Sequence, residues 1–300
     1  MSSWFGRGTA THTTAHEWET VSLRAPRRSP TPEGNAATTS TAKVAVRIKN
    51  VCEIIQEQYA VSDTVAAADV AGGAGKLDWQ ALHKGMELRK DLEVAVLGPQ
   101  GYVTTDPREM GGIIAYAETY TVGSSGGTAP TTGTSAGSTD VVFGVEQPLD
   151  KDLLDTLLQE AWVDGAQISL FNLPSAQKLA FDNAVPIDSI VDNNVDIKAN
   201  GITVCTTVAI WKSTWGDIKF VMNRVLDQQG SWGQQVIQGF DERSTYRPKI
   251  CPLPGRSWVT KRLGAVGDLT QELLTWEGTL EVVNPKSIIT VGGLSDAYAS

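Results

Sequence analysis

Residues 77–97 read LDWQALHKGMELRKDLEVAVL and contain the longest helical pattern in the chain. Asp78 is placed to cap the start of this helix, and Gly98-Pro99 ends it. Apolar side chains recur along one broad face, namely Leu82, Met86, Leu88, Leu92, Ala95 and Val96. Because no comparable pattern occurs earlier, we predict that a long, extended segment with little core of its own precedes the helix.

Residues 43–75 lie directly before the helix and favour β-structure. Apolar and polar side chains alternate over 43–49, as they do in a strand with one exposed face. A second β-rich run covers 54–65, and AGGAGK at 71–76 breaks the pattern. We expect the two runs to pair with each other as a long hairpin.

Residues 1–42 have neither a helical nor a strand period. Their stretch RAPRRSPTPEGNAATTST holds three prolines and many small polar residues, and such a segment buries too little surface to order itself. Three large apolar side chains lie in this arm: Trp4, Phe5 and Trp18. We interpret them as anchors for a pocket on a neighbouring subunit, with packing on the same chain as an equal alternative.

The net charge of −9 is unevenly distributed. Residues 1–50 hold seven Lys/Arg against three Asp/Glu, whereas the rest of the chain holds 18 against 31. This asymmetry suggests an arm that lies on an acidic neighbour. The basic candidates for such contacts are Arg24, Arg27, Arg28, Arg47 and Lys49. Nucleic-acid binding is the competing interpretation, but the body has no basic stripe with interleaved aromatic residues.

The second half of the chain mixes helical and strand patterns. An amphipathic helix is predicted at 147–165, a buried strand at 166–172 and a short helix at 175–184. Two strands flank residues 213–216, and strand-like runs alternate with turns towards the C-terminus. The sum is an α+β fold without an internal repeat.

The three cysteines, Cys52, Cys205 and Cys251, form no C-x-x-C pattern. We therefore predict buried free thiols rather than disulfides or a zinc cage. No apolar run approaches the length of a membrane helix, and the N-terminus has no apolar signal region. These features favour a protein that folds in the cytoplasm.

Residues 123–139 read GSSGGTAPTTGTSAGST and contain the G-x-S-x-G pattern of serine hydrolases at 133–137. That motif needs a strand, a tight turn and a helix around its serine, but no helical pattern follows Ser135. A hydrolase of this class also needs a histidine after its serine. The histidines of this chain all precede it: His12, His16 and His83. We predict a flexible loop that faces solvent or a neighbouring subunit.

Metal and phosphate motifs are equally weak. His12 and His16 are four residues apart, but H-E-x-x-H is absent, so we predict solvated or interface histidines. AGGAGK lacks the spacing of a phosphate-binding loop. The sequence therefore predicts no catalytic, cofactor-binding or metal-binding residue, no cofactor and no enzyme.

Several segments, taken in order, resemble the major capsid (head) proteins of tailed bacteriophages, in the lineage related to the phage SU10 coat. They are HEWETVSL, PEGNAA, VRIKNVCEIIQEQYAVSDT, KGMELRKDLEVAVLG, TTVAIWKSTWGDIKFVMNRVL and LGAVGDLTQELLTWEGTLEVVNP. The uncharged loop lies outside these segments and looks like an insertion.

The resemblance implies an HK97-like major capsid protein fold. Residues 1–42 would be the N-terminal arm and 43–75 the extended E-loop hairpin. Residues 76–145 would be the peripheral (P) domain, with the long spine helix and the flexible uncharged loop. Residues 146–250 would form the axial (A) domain, and 251–300 would return to the P domain.

The resemblance also implies a structural subunit of an icosahedral or prolate bacteriophage head. Such a subunit self-assembles into pentamers and hexamers that enclose the viral DNA, without sequence-specific DNA binding and without a membrane. Its partners would be copies of itself, together with decoration, scaffold or portal proteins. It would reside in the virion capsid after assembly in the host cytoplasm. A tail-tube or decoration subunit is the alternative, and a serine hydrolase is a remote third.

Overall fold

The computed structural model describes residues 5–8, 14–36, 43–67, 75–184, 210–264 and 267–295. The strands are β1 (Gly6–Arg7), β2 (Ala15–Thr20), β3 (Val46–Val51), β4 (Glu53–Ser62), β5 (Thr119–Val122), β6 (Leu170–Leu173), β7 (Ile210–Ser213), β8 (Gly216–Met222), β9 (Ile237–Phe240), β10 (Lys249–Pro252), β11 (Val259–Arg262), β12 (Leu269–Glu281) and β13 (Ile288–Gly292). The helices are α1 (Asp63–Ala67), α2 (Lys76–Leu97), α3 (Lys151–Val163), α4 (Ser175–Ala184), α5 (Arg224–Asp227) and α6 (Gly230–Gln234). This composition confirms the predicted α+β class.

α2 is the long helix predicted from the sequence, and it ends before Gly98 as expected. The predicted cap by Asp78 is wrong, because Gly75 precedes the helix in a left-handed conformation and no side chain caps it. Leu88 and Leu92 are buried in its second half, whereas Leu82 and Met86 are exposed. Only the second half of the predicted apolar face therefore packs on the core.

β12 organises a five-stranded sheet with the order β1-β10-β12-β11, to which β4 is added. β4 pairs with β12 in antiparallel register from Glu53↔Gly278 to Ser62↔Leu269. β10 and β11 also pair antiparallel with β12, and β1 extends the sheet in parallel from β10. β12 thus has partners along both of its edges.

The predicted hairpin within 43–75 is wrong. β3 pairs with β2 of the arm, from Ala15↔Val51 to Thr20↔Val46, whereas β4 pairs with β12. Only Cys52 separates β3 from β4, and one residue is too few for the commonest, two-residue hairpin turns. The chain therefore passes from one sheet to the other at this residue. The long hairpin of the molecule is β2–β3, and we call residues 21–45 the β2–β3 loop.

A second, six-stranded sheet has the order β5-β13-β9-β6-β8-β7. α3 and α4, both predicted, supply Leu154, Leu158 and Phe181 to the core on this sheet. Asp150 caps α3 by accepting a hydrogen bond from the backbone N–H of Asp152. β5 and β13 join this sheet from outside the predicted 146–250 block, so the boundaries drawn at 145 and 250 do not follow the sheets.

The prediction that the loop at 123–139 faces solvent or a neighbour is wrong at Ala136 and Gly137. Ala136 is 1% exposed and belongs to the main core, and Gly137 is also buried. The backbone N–H of Tyr102 donates to the Gly137 carbonyl oxygen (2.7 Å), and the Gly137 N–H donates to Ala115 (3.2 Å). Small side chains allow this segment to lie directly on the core.

The thiols of Cys52 and Cys251 are buried, as predicted, while Cys205 lies outside the described residues. No helix in the described ranges is long and apolar enough to cross a membrane.

Candidate inter-subunit surfaces

Phe5 and Trp18, predicted as anchors on a neighbouring subunit, pack against the chain's own core. The Phe5 ring centroid lies 6.3 Å from that of Phe240, and the Trp18 centroid lies 6.0 Å from that of Tyr116. Of the two alternatives, these contacts favour packing on the same chain. Trp4 lies outside the described residues, and so does His12, which was predicted to be a solvated or interface histidine like His16.

Two of the basic candidates also have partners on their own chain. The Arg47 guanidinium lies 3.6 Å from Glu17 and 3.3 Å from Glu19, both on the paired strand β2. Its side chain is 65% exposed, so these ion pairs contribute little to stability. The Lys49 ammonium lies 5.3 Å from the centroid of the Tyr102 ring.

Arg24, Arg27 and Arg28 lie on the β2–β3 loop, where every residue from 21 to 36 is exposed. Arg24 donates a hydrogen bond to the carbonyl of its neighbour Ala25. Since both ends of the loop are fixed by the pairing of β2 with β3, the three arginines extend from an anchored base.

The first half of α2 carries a second exposed feature. Trp79, Leu82 and Met86 are 51%, 63% and 44% exposed, and their spacing of three and four residues puts them on one face of the helix. We call these three residues the α2 stripe. Beside it lies a groove of about 200 Å³ between α2, Trp258 and Leu274. Leu82 and Met86 belong to the predicted apolar face of the helix, but periodicity does not show how much of such a face the core covers.

Lys84 holds this half of α2 on β4. Its ammonium lies 2.9 Å from the Glu57 carboxylate and 2.8 Å from that of Glu87. These hydrogen bonds, the one with Glu87 foremost, raise the pKa of Lys84. Burial, followed by the charges of Glu57 and Glu87, raises the pKa of Asp91. The pair with Glu57 links α2 to β4, and the α2 stripe stays exposed.

A polar cluster beneath β2 was missed by sequence analysis. His16 Nε2 lies 2.9 Å from Glu281 Oε2, and Cys251 Sγ lies 3.5 Å from the same oxygen. The His16 hydrogen bond, opposed by burial, lowers the pKa of Glu281 to about 2. Burial, followed by the Glu281 charge, raises the pKa of the Cys251 thiol to about 12. His16 is thus part of its own chain's interior. No spacing pattern could reveal the cluster, because its members are far apart in sequence.

Ser135 does not have the geometry of a hydrolase nucleophile. It is exposed and ends a short 3₁₀ turn, Gly133–Ser135, and the next α-helix begins at Lys151. Its carbonyl oxygen accepts a hydrogen bond from Thr131 Oγ1 (2.6 Å). The strand-turn-helix corner that the motif requires is not formed here.

A protein-family model described as SU10 major capsid protein matches residues 1–295. The chain belongs to this family. The match confirms the resemblance drawn from the ordered segments, and it favours a shell subunit over a tail-tube or decoration subunit. No curated protein matches the sequence.

Solved structures give the fold of the family member. The capsid of an empty GTA particle is 12% identical, with a TM-score of 0.59 over 97% of this chain and 88% of that one. Gordonia phage Cozz is 13% identical (TM-score 0.55; 97% and 85% covered). The holo-SrpI encapsulin complex of Synechococcus elongatus is 8% identical (TM-score 0.56; 97% and 86%). The phage capsids and the encapsulin share the HK97 fold, which this chain therefore has.

Family and fold together identify a structural protein of the virion. The chain is a subunit of a bacteriophage capsid shell and associates with copies of itself. The protein is located in the capsid of the virion.

Proposed function

We propose that this subunit builds the pentamers and hexamers of a DNA-filled head through two surfaces, the β2–β3 loop and the α2 stripe. The observation that carries the proposal is the continuous exposure of residues 21–36 between two anchored strands. Ordering such a segment costs conformational entropy, and a neighbouring subunit would offset that cost with contacts.

Charge supports the β2–β3 loop as a contact between copies. Its described part, residues 21–36, carries three arginines and the single acidic residue Glu33, whereas the chain beyond residue 50 holds 18 Lys/Arg against 31 Asp/Glu. A basic loop on an acidic neighbour is attractive. Because the loop must leave and return to the same hairpin, it spans at most about 40 Å, which suits an adjacent subunit.

The α2 stripe supplies the apolar part of the contact. Its three large side chains share one helix face beside the groove at Trp258, and exposed apolar patches of this kind mark interaction sites. The loop and the stripe are different surfaces, so a contact between them is heterologous and can close into a ring.

The remaining features of the proposal concern chemistry and partners. The subunit has no enzymatic role, assembles in the host cytoplasm and encloses DNA without reading its sequence. The net charge of −9 supports enclosure of DNA without sequence-specific binding, since it disfavours tight adhesion of the subunit to phosphates. Scaffold, portal and decoration proteins are its further partners in the head.

The test is assembly of the purified chain, alone and with its scaffold, followed by sedimentation and electron microscopy. We expect rings, shells or tubes from the wild type. The double variant Leu82→Ser/Met86→Ser should stay largely unassembled at concentrations where the wild type assembles, because the apolar contact is lost. The control Val142→Ser/Val145→Ser removes two valines that are 54% and 60% exposed elsewhere, and it should assemble normally.

Two outcomes contradict the proposal. A wild-type chain that stays a compact monomer with and without scaffold contradicts the shell function itself. Equal assembly by both double variants contradicts only the role of the α2 stripe.

A further inference from the structure

The cluster beneath β2 brings together three donor atoms of different elements. His16 lies on β2, Cys251 on β10 and Glu281 at the end of β12, and their ligand atoms all lie within 4.8 Å of one another. Cys251 is fully buried, and the side chains of His16 and Glu281 are 16% and 13% exposed. Imidazole, thiol and carboxylate therefore meet in a site largely shielded from water.

The distances suit a tetrahedral metal ion. Zinc bonds of about 2.0 Å to nitrogen and oxygen and about 2.3 Å to sulfur imply N···O and S···O separations of about 3.3 and 3.5 Å. The observed separations are 2.9 Å from His16 Nε2 to Glu281 Oε2 and 3.5 Å from Cys251 Sγ to the same atom. For an ion to enter, the first separation must widen by about 0.4 Å, and the second already has the value expected for zinc.

We propose that His16, Cys251 and Glu281 bind one Zn²⁺ ion, with water in the fourth coordination position. This mixed set of nitrogen, sulfur and oxygen donors is typical of zinc, whereas Ca²⁺ and Mg²⁺ prefer oxygen alone. On binding, the thiol releases its proton to solvent and forms a thiolate–zinc bond. His16 Nε2 likewise gives up the proton that it donates to Glu281, so that its lone pair binds the ion and any proton on the ring stays on Nδ1. The bonds to zinc replace the hydrogen bonds that His16 and Cys251 make with Glu281.

Neighbouring groups hold the ligands in place. The Lys249 ammonium lies 3.4 Å from Glu281 Oε1, so it orients the carboxylate while Oε2 faces His16. Gly8 lies directly on the thiol, since a Cβ atom at Gly8 would be 2.0 Å from Cys251 Sγ. The Gly8 N–H donates to the Ile250 carbonyl (3.1 Å), which keeps this backbone over the site.

The ion would join β2, in the N-terminal arm, to strands β10 and β12 of the five-stranded sheet. His16 belongs to the hairpin from which the β2–β3 loop extends, whereas Cys251 and Glu281 belong to the five-stranded sheet. A zinc ion at this point fixes the base of the exposed loop to the sheet below it.

The experiment uses the full chain, freed of metal with a chelator under reducing conditions, and titrates it with Co²⁺ as a spectroscopic substitute. We expect one equivalent to bind, with the visible bands of tetrahedral cobalt and a near-ultraviolet thiolate-to-cobalt band, and Zn²⁺ should displace it. Cys251→Ser should abolish the thiolate band, and His16→Ala should weaken cobalt binding by at least about tenfold. Cys52→Ser is the matched control and should keep the band.

Circular dichroism of each metal-free variant checks that it is folded. If Cys251→Ser does not fold, Glu281→Gln serves in its place and should weaken cobalt binding as His16→Ala does. A wild type that gives no tetrahedral cobalt spectrum overturns the proposal. So does a thiolate band that survives Cys251→Ser or that Cys52→Ser removes. Because assembly is measured separately, these failures leave the shell function untouched.

Discussion

The β2–β3 loop and the loop at 123–139 share a high content of serine and threonine and differ in structure. The first has three prolines, one glycine and several charged residues, whereas the second has five glycines, one proline and no charge. The first is exposed at every position from 21 to 36, whereas the second places Ala136 and Gly137 in the interior. A high content of serine and threonine therefore does not decide whether such a segment packs.

The difference lies in what the glycines face. Gly137 has φ of +76°, and a Cβ atom there would lie 2.1 Å from the Tyr116 ring. Gly34, on the β2–β3 loop, also has a positive φ, but nothing lies within 4 Å of its Cβ position. One loop uses glycine to approach an aromatic core residue, and the other uses it only to turn.

The largest effect on the stability of the fold is expected at Gly137, where the backbone approaches the Tyr116 ring. Gly137→Ala should lower the free energy of unfolding by about 3–4 kcal/mol, because it combines a left-handed backbone with overpacking against Tyr116. Gly133→Ala is the matched control in the same loop, with φ of +66° and no atom within 4 Å, and should cost about 1 kcal/mol. Urea denaturation of the unassembled subunit measures both. Equal losses would show that Gly137 does not approach the core.

An intermediate effect is expected at the base of the β2–β3 loop. The folded pKa of Glu281, about 2, lies below its ordinary value of 4.5, so the ionised carboxylate stabilises the fold above about pH 4.5. This stability should be lost as the pH falls towards 2, with about 2 kcal/mol lost between about pH 6 and pH 3. Urea denaturation of the metal-free subunit measures the loss.

Removal of His16 should flatten this pH dependence, because its hydrogen bond is the main cause of the lowered pKa. His83→Ala is the control, since His83 is partly exposed on α2, far from Glu281 in sequence, and its ring contacts Trp79 through a hydrogen bond to the carbonyl and stacking on the indole. It should keep the wild-type profile. A His16→Ala profile identical to the wild type would contradict the role of His16 at the anchor.

The smallest effect on folding is expected on the β2–β3 loop itself. Arg27→Ser/Arg28→Ser should change the free energy of unfolding by less than about 0.5 kcal/mol, because both side chains are exposed, yet it should weaken assembly measured by sedimentation. Lys261→Ser/Arg262→Ser removes an equally exposed basic pair on β11. An equal loss of assembly in both variants would show that overall charge, not the loop, is responsible.

The elements that depend on local sequence pattern were predictable. The period of apolar residues predicted α2, α3 and α4. The six segments that resemble phage capsid proteins, taken in their order along the chain, indicated the family. Strand partners were not predictable, since β4 pairs with β12 more than 200 residues away. The buried side chain of Asn50 joins β3 to the Gly111 backbone and to the Leu280 carbonyl, a contact that only the folded chain creates.

The site was less predictable than the fold. The exposure of Arg24, Arg27 and Arg28 was predictable because charge and proline content mark an exposed segment; their contact with a neighbouring subunit stays a prediction. The exposure of the α2 stripe was not predictable, because the same periodicity describes an apolar face that is buried and one that stays exposed. The cluster of His16, Cys251 and Glu281 depends on the register of three strands, which no local pattern encodes.

β12 has a mechanical consequence. Its thirteen residues form one unbroken strand, about 44 Å long at the usual rise. Leu269 at one end is exposed, whereas Leu280 near the other is fully buried. A neighbouring subunit that pulls on the exposed end would load the same strand that crosses the hydrophobic core. The force would act along β12, in shear across its backbone hydrogen bonds with β4, β10 and β11. Stress from internal pressure in a filled head would thus be carried by many hydrogen bonds at once.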